Sequence, residues 1–276
     1  MSLRRGIKIY DRHIQDIKNQ ISINSGVGPV KNTDSEIEYY NNAYLPNMDW
    51  RCLTDSEYRK VSTADAGSRI FNTLGLGAIP EELQDLFEKL DLNDCESLFD
   101  IPKKFQENEK LTKQINDLLN VFLDEKSLQR KYKFHRIARS LPDMQSTTFH
   151  HIGQNTFKYT GLHIDKSDFY TPHTAHKSEN RISINISKES RYLYFVNLTL
   201  RQIYGEIQKK YSEKITSDNI VEQFFKHYSE YPVLRLEIKP YQYYIAPTDN
   251  FIHDGTTLGN RGFDVTMVYV GIFDKY

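Results

Sequence analysis

Residues 181–187 read Arg-Ile-Ser-Ile-Asn-Ile-Ser, an unbroken alternation of polar and apolar side chains. A period of two residues is typical of a β-strand with one buried face. Ile182, Ile184 and Ile186 are therefore predicted to pack together on one side of a sheet. The polar residues between them are predicted to face the other side.

The period of two prevails from residue 127 to the C-terminus, whereas helical spacing prevails before it. Two helical candidates, 201–211 and 217–228, interrupt the strands. Short connections favour antiparallel pairing, in two packed sheets or a closed jelly roll. Besides 181–187, the predicted strands are 131–139, 146–152, 157–163, 192–200, 233–238, 241–246, 251–253 and 264–273.

The N-terminal part carries apolar residues at helical spacing. Ile9, Ile14, Ile17 and Ile21 recur near one helical face, and further helices are predicted after Pro80 and over 107–124. Residues 22–60 are polar, rich in Tyr and Asn, and are predicted to form a loop. We therefore expect an α+β fold with a mainly β core and a single domain. Its predicted parts are a mainly helical annex over 1–126 and a core over 127–276 with a helical insert over 201–230.

Charge and cysteine content limit the function classes. With 36 basic and 37 acidic side chains the net charge is −1, which argues against a broad nucleic-acid-binding face or an electrostatic membrane anchor. Cys52 and Cys95 do not make a disulfide framework, and no stretch reaches the roughly 20 apolar residues that span a bilayer. A cytoplasmic protein that acts on a small-molecule substrate is expected, and a homodimer is possible.

Three residues in the β-rich part form a candidate metal site. His163 and Asp165 are two residues apart, so both side chains can face one side of a strand. His253 follows late in the chain, where a neighbouring strand can bring it beside the pair. Two imidazoles and one carboxylate on one face of an octahedral ion leave the opposite face open, as in non-haem Fe(II) oxygenases. The pattern predicts an iron site at His163, Asp165 and His253.

This motif, with Arg261 after it, resembles that of the Fe(II)- and 2-oxoglutarate-dependent dioxygenase superfamily. The resemblance covers about residues 131–273 and implies a double-stranded β-helix, with iron on His163, Asp165 and His253. It also implies 2-oxoglutarate and O2 as co-substrates. Related halogenases carry a small residue at the acid position, so the presence of Asp165 implies hydroxylation.

The distal carboxylate of 2-oxoglutarate needs a cationic partner. A guanidinium binds a carboxylate through two charge-assisted hydrogen bonds, and Arg261 is predicted to do so here. Many members of the superfamily place this arginine further along the last strand, with Ser or Thr two residues later, where this chain has Phe263. Arg181 and Arg191 are alternative partners.

The sequence leaves the substrate and two other functions open. A free amino acid or a small natural-product precursor is the preferred substrate, and a carrier-bound or peptidyl residue is an alternative. One rival function is a cupin-like metalloenzyme that does not use 2-oxoglutarate. The other is a barrel that binds a ligand without chemistry.

Overall fold

A computed structural model of the chain describes residues 2–10, 14–31, 37–64, 70–153, 156–167 and 169–276. The helices in these ranges are α1 (Asp55–Val61), α2 (Glu81–Leu90), α3 (Asp100–Glu107), α4 (Glu109–Lys126), α5 (Leu200–Gln208) and α6 (Ile220–His227). The strands are β1 (Lys8–Tyr10), β2 (Ile21–Ile23), β3 (Val27–Pro29), β4 (Tyr44–Pro46), β5 (Arg51–Cys52), β6 (Ser62–Thr63), β7 (Thr73–Ala78), β8 (Tyr132–Ser140), β9 (Phe149–His151), β10 (Phe157–Tyr159), β11 (Asn180–Asn185), β12 (Arg191–Thr199), β13 (Leu234–Ile238), β14 (Gln242–Ala246), β15 (Phe251–Thr256) and β16 (Asp264–Gly271).

The larger sheet has seven strands in the order β6-β1-β7-β14-β11-β16-β8. Strand β11 lies between β14 and β16, and Ile182 is opposite Ile245 on one neighbour and Tyr269 on the other. These apolar side chains pack against α2 and α4, where Leu83 and Leu119 are fully buried. Burial of one such leucine side chain contributes about 1.5–3 kcal/mol. The predicted alternation in β11 is confirmed, and its polar face is left for the interior between the sheets.

The smaller sheet has five strands in the order β15-β12-β13-β2-β5. The chain passes from β11 in the larger sheet to β12 and β13 in the smaller one, then to β14, β15 and β16 in alternate sheets. The prediction of a mixed α and β fold with two main sheets is confirmed. Among the described residues, ladder hydrogen bonds do not join the two sheets into one closed barrel.

The two helices predicted between residues 201 and 228 are present as α5 and α6. A capping box starts α5, since Thr199 accepts from the backbone of Gln202 and the Gln202 side chain accepts from Thr199. Their apolar faces meet in a cluster that includes Ile203 and Phe224. No helix in the part that the structure describes is long and apolar enough to cross a membrane.

The helix predicted through Ile9 and Ile21 is wrong. The chain forms β1, a short 3-10 helix (Ile17–Gln20) and β2 there, and residues 11–13 lie outside the described part. Ile7 and Ile9, like Ile21 and Ile23, also fit a period of two, and pairing of β1 with β7 and of β2 with β13 decides between the two periods. Tertiary pairing thus overrides the helical spacing.

The loop predicted over 22–60 is also wrong in part. It contains β3, β4, β5 and α1, and residues 32–36 lie outside the described part. Strand β5 is only two residues long and pairs with β2, while β3 pairs with β4. Such short strands carry too few residues to show a period in the sequence. The N-terminal segment therefore extends both sheets, and helices dominate only from α2 to α4.

Candidate metal centre

Backbone hydrogen bonds hold His163 and His253 directly opposite each other. The His163 amide donates to the His253 carbonyl over 2.9 Å, and the His253 amide donates to the His163 carbonyl over 2.8 Å. Directly opposite residues of an antiparallel pair point to the same side. The two imidazole rings accordingly lie with their centroids 4.7 Å apart.

A turn at Gly161 delivers His163 to this position. The strand predicted over 157–163 ends earlier, because β10 stops at Tyr159 and Gly161 has a φ of +63°. A Cβ on Gly161 would lie 2.6 Å from the Tyr44 carbonyl oxygen, which accepts from the Leu162 amide over 2.9 Å. The left-handed conformation and the close approach both require glycine here.

Replacing Gly161 with alanine is expected to weaken metal binding about tenfold. The left-handed conformation costs an L-residue about 1–2 kcal/mol, and the clash with Tyr44 displaces His163 as well. Gly259→Ala is the matched control, because Gly259 has a φ of +86° with nothing within 4 Å of its added Cβ. Cobalt(II) titration and chemical denaturation measure the two effects. Equal metal affinities in the two variants would contradict this account of the turn.

Asp165 completes a group of three possible metal ligands. Its Oδ1 lies 3.9 Å from His163 Nε2 and its Oδ2 lies 3.6 Å from His253 Nε2. One donor atom from each residue falls within 4.8 Å of the other two. The structure therefore brings together His163, Asp165 and His253, the three residues that the sequence predicts as metal ligands.

Both histidines offer the same nitrogen to the group. His163 Nδ1 lies 2.8 Å from the Gly161 carbonyl, and His253 Nδ1 lies 3.2 Å from the Phe251 carbonyl. A carbonyl oxygen only accepts, so each Nδ1 carries a hydrogen, and in the neutral form of either ring Nε2 is the nitrogen that keeps its lone pair. Burial, together with neighbouring His253, lowers the pKa of His163 to about 4. A neutral imidazole is the form that binds a metal ion, so this donor set fits a divalent cation.

Arg181 fixes the carboxylate of Asp165. Its Nη1 lies 2.7 Å from Asp165 Oδ2, and its Nη2 donates to Ser167 Oγ over 2.6 Å. Burial by itself would raise the pKa of Asp165. The close contact with His253 and the charge of Arg181 outweigh burial and hold the pKa of Asp165 well below its usual value. Asp165 is thus ionised and oriented, and Arg181 is already engaged with it.

Two cavities meet at the metal centre. The inner one has a volume of about 320 Å³ and extends between the sheets, and the outer one has a volume of about 1120 Å³. A small set of residues lines both cavities and so forms the junction between them. These residues are Arg136, Thr148, Phe149, His163, Asp165 and Arg181.

Arg191 is a buried arginine that lines the inner cavity. It begins β12, is 7% exposed, and its Nη1 contacts Thr266 and lies 3.2 Å from Asp264 Oδ2. Within the described ranges, its buried Nε has no hydrogen-bond partner. The sequence names Arg191 only as an alternative carboxylate partner. Its local signal is that a charged residue starts a strand otherwise dominated by apolar side chains.

Arg261 lies elsewhere. It is exposed in the turn before β16, its amide donates to Glu189, and its side chain lines neither cavity. Glycines on both sides of this turn, Gly259 and Gly262, carry the chain around Glu189 before β16 begins. The structure therefore does not bring Arg261 to the three ligands, and it places Arg181 and Arg191 there instead.

No family model matches the chain, and no curated protein matches it. Solved structures of the Kdo hydroxylase KdoO, a non-haem Fe(II) α-ketoglutarate-dependent dioxygenase, do match. The cobalt(II) complex is 13% identical with a TM-score of 0.36, and the match covers 74% of this chain and 81% of that chain. The complex with succinate and Fe(III) is 12% identical, and the apo form is 13% identical, with the same TM-score and coverage. A likeness this remote assigns no chemistry to the chain. The candidate metal centre therefore rests on the geometry of the chain's own residues. The chain is similar to such a dioxygenase, and it joins His163, Asp165 and His253 in one site.

Proposed function

We propose that the protein is an Fe(II)- and 2-oxoglutarate-dependent oxygenase that hydroxylates a small molecule. The observation that carries this proposal is the convergence of two imidazoles and one ionised carboxylate between a small inner and a large outer cavity. Such a donor set covers one face of an octahedral ion and leaves the other face for co-substrates. The return of successive strands between two sheets is what a double-stranded β-helix requires, and supports the same assignment.

The chain's own residues would hold the metal as follows. His163 and His253 bind through Nε2, and their Nδ1 hydrogen bonds to backbone carbonyls keep both rings in that orientation. Asp165 binds through its carboxylate, which Arg181 positions. Bound Fe(II) supplies the activation of O2 that oxidises the substrate. Asp165 occupies the position that a small residue takes in the related halogenases, so hydroxylation is the proposed outcome.

Arg191, rather than Arg261, is the proposed partner of the distal carboxylate of 2-oxoglutarate. Arg191 has a buried Nε without a partner, and it lines a cavity whose volume is near the lower end of the roughly 300–1000 Å³ range of small-molecule sites. Burial raises the pKa of Asp264, against the opposing effect of Arg191, so this neighbour neutralises the guanidinium less than an ordinary carboxylate would. Asp165 is the one acidic residue among the described residues that line the inner cavity, which also contains Arg136 and Arg139. This surplus of positive charge suits a dicarboxylate.

Gly255→Ala tests the inner cavity without removing a charge. A Cβ on Gly255 would lie 2.5 Å from Arg191 Nη2 and would also contact Thr147 Oγ1, so the guanidinium must move. The affinity for 2-oxoglutarate is expected to fall about tenfold while the affinity for cobalt(II) is unchanged. Gly205→Ala on α5, with nothing within 4 Å of its added Cβ, is the control. Unaltered 2-oxoglutarate binding in Gly255→Ala would exclude Arg191 as its partner.

The proposed activity is tested by the conversion of 2-oxoglutarate to succinate. The Fe(II)-loaded protein in air is expected to release succinate slowly even without its substrate, and the metal-free protein is not. Succinate is measured by chromatography against both controls, one lacking metal and one lacking O2. Equal succinate in all three samples would overturn the proposal.

A further inference from the structure

Strand β8 presents a row of basic side chains to the outer cavity. Lys133 is opposite Val270 and Arg136 is opposite Val268, and both valines line a cavity rather than the helix-covered face of the sheet. Opposite residues of a ladder point to the same side, so Lys133 and Arg136 face the cavities as well. Residues three apart on a regular strand point to opposite sides, and therefore need a special explanation here.

A β-bulge provides that explanation. Phe134 is opposite Tyr269 while Arg136 is opposite Val268, so His135 is an extra residue without a counterpart on β16. The extra residue shifts the alternation by one and turns Arg136 back to the cavity side. Bulges re-aim side chains in this way next to binding sites. Lys133, His135 and Arg136 consequently all line the outer cavity.

Three of the five acidic residues described in the outer cavity are paired with a basic residue, whereas three of its Lys and Arg residues have no acidic partner. Asp165 pairs with Arg181, Asp218 lies 2.5 Å from Lys166, and Glu179 lies 3.9 Å from Lys131. Two further acids, Glu222 and Asp249, line the cavity, and burial raises the pKa of Asp249. The remaining basic residues have no carboxylate within ion-pair distance in the described part of the chain. They are Lys133, Arg136 and Lys177.

We propose that the outer cavity binds a substrate bearing a phosphate or carboxylate group, which Lys133, Arg136 and Lys177 hold while the carbon to be oxidised faces the metal centre. This proposal rests on the proposed function, because it makes the outer cavity the substrate site. Burial lowers the pKa of His135, and the positive charges of Arg181 and Arg136 lower it further. This second effect reflects the same concentration of positive charge. With a volume of about 1120 Å³, the cavity admits a molecule considerably larger than a free amino acid.

Three probes of similar size test the charge requirement. Glucose 6-phosphate carries a phosphate, gluconate carries a carboxylate, and glucose is neutral. Calorimetric titration of the cobalt(II)-loaded protein at low ionic strength is expected to show binding of at least one anion and none of glucose. The tighter anion identifies the group that the site prefers. Binding of glucose as tight as that of both anions would overturn the proposal.

Substitutions that each remove one basic side chain show where the anion binds. Lys133→Gln and Arg136→Gln are each expected to weaken anion binding about fivefold, the effect of one exposed ion pair of about 1 kcal/mol. Lys113→Gln removes the same charge from the exposed side of α4 and is expected to change nothing. Equal affinities in all three variants would place the anion elsewhere and reject the site.

The same samples separate this proposal from the proposed function. Anion binding at Lys133 and Arg136 without any Fe(II)-dependent succinate production would refute the oxygenase and retain an anion site. Succinate production without charge-selective binding would retain the oxygenase and refute the anionic substrate.

Discussion

Replacing Asp165 with alanine is expected to abolish Fe(II)-dependent turnover and to weaken metal binding at least 100-fold. Loss of an outer partner of a metal ligand already costs about 10–100-fold, and Asp165 is the only anionic donor in the group, so its loss should cost more. Equilibrium dialysis with cobalt(II) and succinate production with Fe(II) measure the two effects. Retention of full turnover by Asp165→Ala would refute the metal centre.

Two further variants show that such a loss does not come from misfolding. Asp165→Ala leaves buried Arg181 without its carboxylate, and breaking a buried ion pair destabilises a protein by about 3–5 kcal/mol. His253→Ala keeps that pair and is expected to lose the metal equally, so it isolates ligation from stability. Asp218→Ala removes an exposed carboxylate of the outer cavity and is expected to keep both metal and turnover.

Arg191→Met is expected to raise the KM for 2-oxoglutarate by on the order of 100-fold while metal affinity stays the same. Truncation of one partner in a buried, hydrogen-bonded charge pair costs about 2–5 kcal/mol, and Arg191 is buried with an unpartnered Nε. Asp264 is left without its guanidinium, and burial raises the pKa of this carboxyl. Succinate production across a range of 2-oxoglutarate concentrations measures the effect.

Arg261→Met is the matched control for this measurement. It makes the same substitution at the arginine that the sequence predicts, which is exposed and lines neither cavity. No change in KM is expected. A large rise in KM for Arg261→Met with none for Arg191→Met would restore the prediction from sequence and refute the assignment from structure.

The grouping of His163, Asp165 and His253 was predictable although the strand ends before His163. A spacing of two residues lets His163 and Asp165 share a side, and the bridge between His163 and His253 brings the second histidine beside them. The alternation in β11 likewise determines which residues face the helices. Gly161 was identified only as part of the motif, because its role depends on the approach of the Tyr44 carbonyl from a distant segment.

The arginine of the inner cavity was predicted from the sequence only as an alternative to Arg261. Arg261 follows His253 closely in sequence, but Glu189 binds its backbone in a turn on the surface. Arg191 is far from both histidines in sequence and reaches the inner cavity because β12 pairs with β15, with Leu193 opposite Gly255. Pairing between distant strands, rather than proximity in sequence, decides which arginine enters the cavity.

The helix prediction for the N-terminal segment was wrong for a related reason. Isoleucines at positions such as 9 and 21 satisfy helical and strand periods at once, and short strands contain too few residues to separate the two. The edges of both sheets select the strand conformation by offering unpaired backbone groups to β1 and β2.

Binding of Fe(II) and 2-oxoglutarate at one centre is tested most directly by titrating the protein anaerobically with Fe(II) and then with 2-oxoglutarate. Visible absorption is recorded during the titration. A weak charge-transfer band that saturates at one equivalent of 2-oxoglutarate, and that is missing in His253→Ala, is the expected result. Binding of Fe(II) without a band on addition of 2-oxoglutarate would contradict the account and favour a cupin-like metalloenzyme. Absence of Fe(II) binding would contradict it altogether and favour a barrel that binds its ligand without chemistry.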